Sequence, residues 1–393
     1  MRKKLNNIIF ILISILIVLL EKDRLEALSN AYQGETQNSS FYITLNLSLF
    51  ISFIVGILIN YRYASKGALA RSLTIFTVYS YFVLIVQASF FSISSLVYFS
   101  FLLPSLSYFY FSSSTNQTSK GIIKLVIPLV FVSIGYFSII NQRSISILVS
   151  SEEAANTSYY FLACLPFMLL GKNKVIRVVS ILVVLYAVVT SFKRGGLIAL
   201  AFGVALYYFV LLRSSNSRHK MGLFLLSIII LALFALAFFQ FNDLSGNILG
   251  ERIINTSIDG GSERNLLYPL VIEKIRESSA LQFLLGHGWD SVSRARIGYV
   301  SAHNDYLQLL YDLGAISLIL YIAFLIKLFK KGLALIKNHS PLAPAFACSL
   351  GIFIVLSLVS HILLYSNLFL LFTAFWGIID SQNESLSPPI SII

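Results

Sequence analysis

The uncharged stretch from Ser72 to Ser119 has the sequence SLTIFTVYSYFVLIVQASFFSISSLVYFSFLLPSLSYFYFSSSTNQTS. A helix needs about 20 mostly apolar residues to cross the hydrocarbon core of a bilayer. This stretch is too long for one such helix, so it predicts two membrane spans that fold back on each other. The strands of a membrane barrel alternate apolar and polar residues, and this stretch shows no such alternation. It therefore predicts a helical membrane protein.

The composition of the whole chain supports the same class of protein. Of its 393 residues, 57% are hydrophobic and 12% are charged, and the mean hydropathy is +0.82. These values are far from those of soluble globular domains. Because short charged loops separate the apolar runs, we predict an all-α integral membrane protein with about twelve transmembrane helices. The predicted spans lie near residues 5–20, 41–59, 72–91, 92–111, 125–140, 159–171, 178–192, 195–212, 221–241, 306–326, 342–358 and 366–379.

The distribution of Lys and Arg orients the predicted spans. Cytoplasmic loops of membrane proteins collect basic residues, while Asp and Glu have little influence on topology. Alternate segments hold more than half of the 29 Lys and Arg residues and no Asp or Glu. These segments are residues 2–4, 60–71, 112–124, 172–177, 213–220 and 327–337. We predict that they and both chain termini are cytoplasmic. The net charge of +12 then reflects topology, and no nucleic-acid partner is expected.

On this topology the chain divides into four regions. Residues 1–174 hold the first six spans, and residues 175–330 hold the next four together with a long outer loop at 242–305. Residues 331–380 hold the last two spans, and residues 381–393 form a tail. Because a loop of such length inside a compact domain is usually functional or disordered, the outer loop is the first place to look for a site.

Two features of the outer loop suggest order and chemistry. Apolar residues recur there at helical spacing, which predicts a short helix on the membrane surface. They are Leu266, Leu267, Leu270, Val271 and Ile275. The loop then ends in Ser301-Ala302-His303-Asn304-Asp305-Tyr306-Leu307, which sets an imidazole, an amide and a carboxylate directly before a predicted span. A titratable cluster at the start of a span suggests chemistry at a membrane surface.

Lys193 and Arg194 are an exception to the charge rule. They lie in a tight turn between the seventh and eighth predicted spans, on the outer side by the same count. One interpretation is an ordinary charged turn whose side chains extend toward the membrane interface. The other is an anion-binding position, and Arg suits it better because its planar guanidinium can hold two phosphate oxygens at once.

Three stretches together resemble the O-antigen polymerase and O-antigen ligase superfamily of bacterial membrane glycosyltransferases. They are Ser191-Phe192-Lys193-Arg194-Gly195-Gly196; Ser262-Glu263-Arg264 with Gly286-His287-Gly288; and Ala302-His303-Asn304-Asp305-Tyr306-Leu307 with Gly314. Each motif is weak alone, but their order, spacing and common predicted face make the set fairly specific. The resemblance covers roughly residues 175–330, while the first third of the chain matches in hydropathy alone.

The resemblance implies a C-type glycosyltransferase architecture. Such an enzyme acts on glycans carried by undecaprenyl pyrophosphate at the outer face of the bacterial inner (cytoplasmic) membrane. It implies His303 as the catalytic base, with Arg194 and Arg264 holding the lipid pyrophosphate. The expected partners are the undecaprenyl-pyrophosphate-linked oligosaccharide, membrane lipid and a chain-length regulator protein. We add four candidate substrate-binding residues, which are Asn304, Asp305, Lys193 and His287.

Several of these residues also have purely structural interpretations. Asp305 suits a solvated position in the first turn of a helix, where acidic side chains are favoured. His287 stands between two glycines, as a turn residue does. His361, near the end of the eleventh predicted span, is interpreted as a packed or interfacial histidine, although polar groups in spans are frequently functional.

The residues are also suited to the implied chemistry. Histidine can accept a hydroxyl proton at neutral pH, and arginines can stabilise a leaving pyrophosphate. Direct attack opposite the pyrophosphate inverts the anomeric centre without a covalent enzyme intermediate. The loop carboxylates are scattered and form no close pair for a divalent cation; they are Asp259, Glu263, Asp290 and Asp305. We therefore predict metal-independent catalysis without a cofactor.

Three functions remain open. A polymerase of O-antigen or capsule joins lipid-linked repeat units, whereas an O-antigen ligase moves finished polymer to a lipid A core. The ligase pattern of His-Asn followed after nine residues by Gly is met by Gly314, but Ser317 stands where Gly, Thr or Tyr is expected. This difference favours the polymerase. A transporter of lipid-linked sugars would have pseudo-symmetric halves, and a motif-bearing loop in one half argues against it.

Overall fold

A computed structural model of the chain contains helices and turns, and no strand among the residues it describes. It describes residues 2–32, 39–61, 67–87, 100–113, 125–130, 132–133, 152–171, 173–191, 193–214, 236, 239, 264–289, 291–294, 301–363 and 365–384. The predicted all-α class is confirmed. The helices are α1 (Arg2–Tyr32), α2 (Ser39–Asn60), α3 (Ala68–Gln87), α4 (Leu103–Ser113), α5 (Glu152–Leu169), α6 (Lys174–Thr190), α7 (Arg194–Ser214), α8 (Arg264–Glu277), α9 (Ala280–Leu285), α10 (Ser291–Arg294), α11 (Asp305–Asp312), α12 (Gly314–Lys337), α13 (Ala343–Val359) and α14 (Ser366–Glu384).

Among the described residues, four segments are long and apolar enough to cross a membrane. They are Lys4–Asp23, Phe41–Asn60, Ala68–Gln87 and Arg194–Arg213, and each overlaps a predicted span. The uncharged stretch from Ser72 to Ser119 contains most of α3 and all of α4, which contact each other. The total of twelve spans stays a prediction, because nearly all of predicted span 221–241 and most of 125–140 fall outside the described residues.

Large apolar side chains on several of the described helices are exposed. Extensive exposed apolar surface is unusual for a soluble monomer and is normal where lipid is the solvent. Examples are Ile8, Leu58, Phe82, Phe209 and Ile319. Together with the apolar spans, they indicate a membrane protein.

The tenth predicted span, 306–326, differs from the structure. The chain forms α11, turns at Leu313, and then forms the longer α12 from Gly314 to Lys337. Gly314 has φ +79°, and a Cβ there would overlap the carbonyl oxygen of Leu284 at the end of α9. A positive φ favours glycine because it has no Cβ. The break therefore comes from contact with a distant helix, which hydropathy does not reveal.

Replacing Gly314 with Ala is expected to destabilise the protein by more than about 2 kcal/mol. The free-energy cost of a left-handed backbone for Ala adds to the cost of the clash between its Cβ and the Leu284 backbone. The thermal midpoint in detergent measures the loss. Gly171→Ala is the matched control, since its added Cβ would lie 3.3 Å from the Met168 carbonyl oxygen and its φ is not positive. Equal midpoints for the two variants would contradict this account of the break.

Glycine also permits close helix packing at the centre of the fold. Gly203 of α7 faces Gly351 of α13, where a Cβ on Gly351 would lie 3.4 Å from the Gly203 Cα. Gly377 of α14 meets α4, where a Cβ would lie 2.5 Å from the Tyr108 carbonyl oxygen. Small residues let helices approach closely in membranes, where van der Waals packing drives association. These contacts hold α13 and α14 within the bundle.

Polar contacts further fix α14 against its neighbours. The Trp376 indole Nε1 donates to Ser349 Oγ of α13 at 2.9 Å. One turn further along α14, Asp380 forms an ion pair with Lys331 of α12 and accepts a hydrogen bond from Tyr108 of α4. Buried charges need such partners in an apolar environment. The core therefore presents a fixed α13, whose end carries the candidate site.

Candidate functional site

The candidate site is built around the end of α13. This helix ends at Val359, Ser360 is extended, and α14 begins only at Ser366. The last carbonyl groups of a helix have no partner within the helix and carry the negative end of its dipole. Here the Asn304 Nδ2 donates to the Leu358 oxygen at 3.2 Å, and the Arg264 Nη2 donates to the Val359 oxygen at 2.7 Å. We call residues 358–363 the α13 terminus.

Helix α8 brings Arg264 to this terminus. The predicted helix at 266–275 is present as Arg264–Glu277 and continues through Pro269. One turn after Arg264, the Tyr268 hydroxyl lies 3.3 Å from the His303 carbonyl oxygen and 3.5 Å from that of Leu358, so it can donate to either. Tyr268 thus joins α8 to the His303 loop. Sequence reasoning missed it, because a tyrosine carries no motif of its own.

The Lys193–Gly196 turn reaches the same terminus. Helix α7 begins at Arg194, and its first backbone hydrogen bond runs from Leu197 N to the Lys193 oxygen at 3.1 Å. A Cβ on Gly195 would lie 2.9 Å from the Val359 Cγ2, so the turn packs against the residue whose carbonyl binds Arg264. The start of a helix carries partial positive charge. Two basic residues and a helix N-terminus therefore lie beside the α13 terminus.

His303 has an unusual backbone and a buried side chain. Its φ is +49°, in the left-handed region, and its side chain is buried. Residues without glycine's freedom are held there only by their surroundings, and such positions cluster at functional sites. The imidazole of His303 lies against that of His361, with ring centroids 4.9 Å apart and ring planes tilted by 46°. His361 is buried, as its interpretation as a packed histidine expects, and its ring contact with His303 places it within the site.

Asn304 uses both ends of its amide to position the loop. Its Oδ1 accepts from the Tyr306 and Leu307 backbone N–H groups at 3.0 and 3.1 Å, which caps the N-terminus of α11. Its Nδ2 donates to the α13 terminus, as described above. The structure thus gives Asn304 a positioning function beside its predicted role in substrate binding.

Asp305 is buried, so its interpretation as a solvated residue is wrong. It does lie in the first turn of α11, but its side chain is 1% exposed. Its Oδ1 accepts from the Leu363 backbone N–H at 3.2 Å, which joins α11 to the α13 terminus. Burial raises the pKa of this carboxyl to about 8, and the hydrogen bond from Leu363 offsets part of the rise.

Asp305 should make stability depend on pH. An unfolded Asp has a pKa of about 3.9, so the folded state holds this proton more tightly than the unfolded state. The stabilisation is complete below about pH 4 and is lost as pH rises through about 8. Asp305→Asn should therefore flatten the decline in thermal midpoint over that range. The exposed Glu273→Gln is the control, and parallel curves for wild type and Asp305→Asn would refute the assignment.

His287 lies at the opposite end of α11 from His303. It sits between Gly286 and Gly288, both with positive φ, and its backbone N–H donates to the Tyr311 oxygen at 2.9 Å. Its ring stacks on Tyr311 at 4.3 Å, and its Nε2 lies 2.7 Å from Ser278 Oγ. Partial burial lowers the pKa of His287. These contacts fit the turn interpretation, and its role in substrate binding stays a prediction.

A buried chain of hydrogen bonds fixes the loop before His303. The Ala302 backbone N–H donates to Gln308 Oε1 at 2.7 Å, and Gln308 Nε2 donates to Asp312 Oδ2 at 2.7 Å. Asp312 Oδ1 accepts from the Ser291 backbone N–H at 2.9 Å. The loop is thereby tied to α10 and α11. Gln308 could not be found from sequence, because one of its two partners is a backbone group.

The described residues contain no group of three or more His, Cys, Asp or Glu side chains that could hold a metal ion. Of the scattered carboxylates, Asp305 is described, and Asp259, Glu263 and Asp290 lie outside the described residues. In the part of the chain described, the site therefore offers an imidazole pair, a buried carboxyl and cations. Such a set can transfer a proton and bind an anion.

Part of the chain matches a known protein family. Residues 179–322 match a family model described as O-Antigen ligase. The matched segment includes Arg194, Arg264 and His303, whereas the α13 terminus lies beyond it. No curated protein matches the chain.

Proposed function

We propose that this chain, which belongs to the O-antigen polymerase and O-antigen ligase superfamily, is a polymerase of lipid-linked glycan repeat units for an O-antigen or capsule. One observation carries the proposal: the α13 terminus gathers His303, Arg264 and the Lys193–Gly196 turn. Transfer from a pyrophosphate-linked donor requires both a base and fixed positive charge near the leaving group. The described part of the site combines these two elements, and catalysis independent of a metal ion or cofactor is part of the proposal.

In the proposed reaction, His303 accepts the proton of an acceptor hydroxyl on one repeat unit. The hydroxyl oxygen attacks the anomeric carbon of the donor glycan from the face opposite the pyrophosphate. The new glycosidic C–O bond forms as the bond to pyrophosphate breaks, and the electron pair leaves with undecaprenyl pyrophosphate. The configuration inverts, and His303 afterwards releases its proton to solvent.

Positive charge at the site stabilises the leaving pyrophosphate. Arg264 is held against Val359 by its hydrogen bond, and Arg194 starts α7 beside the same residue. Preorganised donors aimed at developing charge contribute more in a water-poor site than they do in bulk water. Lys193 adds a further cation at the helix N-terminus, where anions bind readily.

The proposed setting is the outer face of the bacterial cytoplasmic membrane, with both termini in the cytoplasm. The Lys and Arg distribution supports this topology. The proposed partners are the undecaprenyl-pyrophosphate-linked oligosaccharide, the surrounding lipid and a chain-length regulator protein.

A reconstitution experiment tests the function. Purified protein is incubated with undecaprenyl-pyrophosphate-linked repeat units, with and without a lipid A core acceptor, and the products are separated by size. A ladder from repeat units alone is expected of a polymerase. Product that forms only with the core acceptor overturns polymerisation in favour of ligation. Movement of the lipid-linked glycan across vesicles with no new glycosidic bond overturns both and supports a transporter.

Ligation is the second candidate because one observation favours it and another weakens the argument against it. The matching family model is described as O-Antigen ligase. In addition, Ser317, whose departure from the ligase pattern favoured the polymerase, is fully buried in α12, with the Ser80 hydroxyl of α3 3.4 Å away. A residue at a helix contact is constrained by packing, so its identity is a weak guide to the acceptor.

A further inference from the structure

His361 lies beside His303, the proposed catalytic base. Its ring lies against the ring of His303, and its Nδ1 lies 2.8 Å from the hydroxyl of Ser301, which is in the same loop as His303. The ring of Tyr365 packs against the His361 ring as well, with a distance of 4.9 Å between the two ring centroids. His361 is buried, so these neighbours define its position. It lies outside the segment that matches the family model.

We infer that His361 is a positioning residue that fixes the His303 imidazole in the orientation from which it accepts the acceptor proton. The inference rests on the proposed function of His303 as a base. Because His303 precedes α11 with a left-handed backbone, the regular geometry of the helix does not set its ring orientation. The loop that carries His303 sets it instead, and the contact between His361 Nδ1 and the Ser301 hydroxyl holds that loop in place.

The contact between the Ser301 hydroxyl and His361 also determines which nitrogen of the His361 ring carries the proton. When the hydroxyl donates to Nδ1 of His361, the proton of that neutral imidazole is on Nε2. The bond fixes the ring plane of His361 and ties residue 301 to the α13 terminus, while His303 follows two residues later. Ala302, between them, is buried and donates its backbone N–H to Gln308. Both sides of the short loop are therefore anchored.

Two substitutions separate this function from simple filling of space. His361→Asn keeps an acceptor near the Nδ1 position, so the bond to Ser301 persists. His361→Phe keeps an aromatic ring and loses the acceptor. Positioning through Ser301 predicts that His361→Phe lowers kcat by about 10-fold or more, because small displacements of a catalytic group can cost up to about 100-fold. The donor KM should stay within about twofold, since His361 binds no substrate, and His361→Asn should restore most of kcat.

Steady-state kinetics on the purified full chain, with thermal midpoints for every variant, tests the inference. His339→Phe, at an exposed histidine beyond the far end of α12, is the matched control. Wild-type kcat in His361→Phe, or equal losses of kcat in His361→Phe and His361→Asn, overturns the inference. If His361→Phe does not fold, Ser301→Ala removes the same hydrogen bond and should lower kcat, and full kcat there overturns the inference. An inactive wild type overturns the proposed function itself, so the two failures are distinguishable.

Discussion

Replacing His303 with Asn is expected to lower the rate of glycan transfer by about 10²- to 10⁴-fold, which is the usual contribution of a general base. Asn cannot accept the hydroxyl proton at neutral pH. It does tolerate left-handed backbone better than most residues, so the φ of +49° and the start of α11 are preserved. Initial rates on lipid-linked repeat units measure the loss, and thermal unfolding is expected to be nearly unchanged.

The chain provides a matched control for this substitution. His339 has φ +50°, nearly the same as His303, but it is exposed and lies beyond the far end of α12. His339→Asn therefore makes the same chemical change on the same kind of backbone, away from the site, and should leave the rate unaltered. His303→Ala should lose as much activity and also some stability, because Ala is strained at positive φ. A His303→Asn rate within about threefold of wild type would rule out the base assignment.

The helices could be predicted where local sequence determines them. Long apolar runs identify α2, α3 and α7, because hydropathy is a property of the segment itself. The periodic apolar residues of the outer loop likewise predicted α8, of which Val271 is fully buried and Leu266 is exposed. The break at Leu313 was missed because Gly314 needs its positive φ only to meet α9. That contact joins parts of the chain that are distant in sequence.

The site could be predicted only in part, for the same reason. The resemblance identified Arg194, Arg264 and His303 as candidates, but it gave no location for them in the fold. What gathers them is the end of α13, which contributes the carbonyl oxygens of Leu358 and Val359. Every residue has a carbonyl oxygen, so no residue type marks this role. The burial of Asp305 was likewise invisible, since acidic side chains at helix starts are mostly solvated.

Replacing Arg264 with Ala is expected to lower kcat/KM for the lipid-linked donor by about 10²- to 10³-fold, the usual loss when one preorganised donor to developing charge is removed. The guanidinium is held at the α13 terminus, where it can face a pyrophosphate bound between α7 and α8. Arg264→Lys should recover only part of the rate, because an ammonium group keeps the charge but not the planar fork. Arg276→Ala, at an exposed position near the other end of α8, is the control.

Arg264 also caps α13, so its effect on stability must be separated from its effect on the donor. Arg264→Gln keeps a side-chain N–H donor near the position of the Arg Nε while it lacks the charge. If charge is what the donor requires, Gln should restore the thermal midpoint lost in Ala and leave kcat/KM low.

Arg194→Ala combined with Arg264→Ala then tests whether both act on one pyrophosphate, because residues that share a partner show non-additive losses. Strictly additive losses, or undecaprenyl pyrophosphate binding equal to wild type in the double variant, would show that the two arginines do not form one anion site.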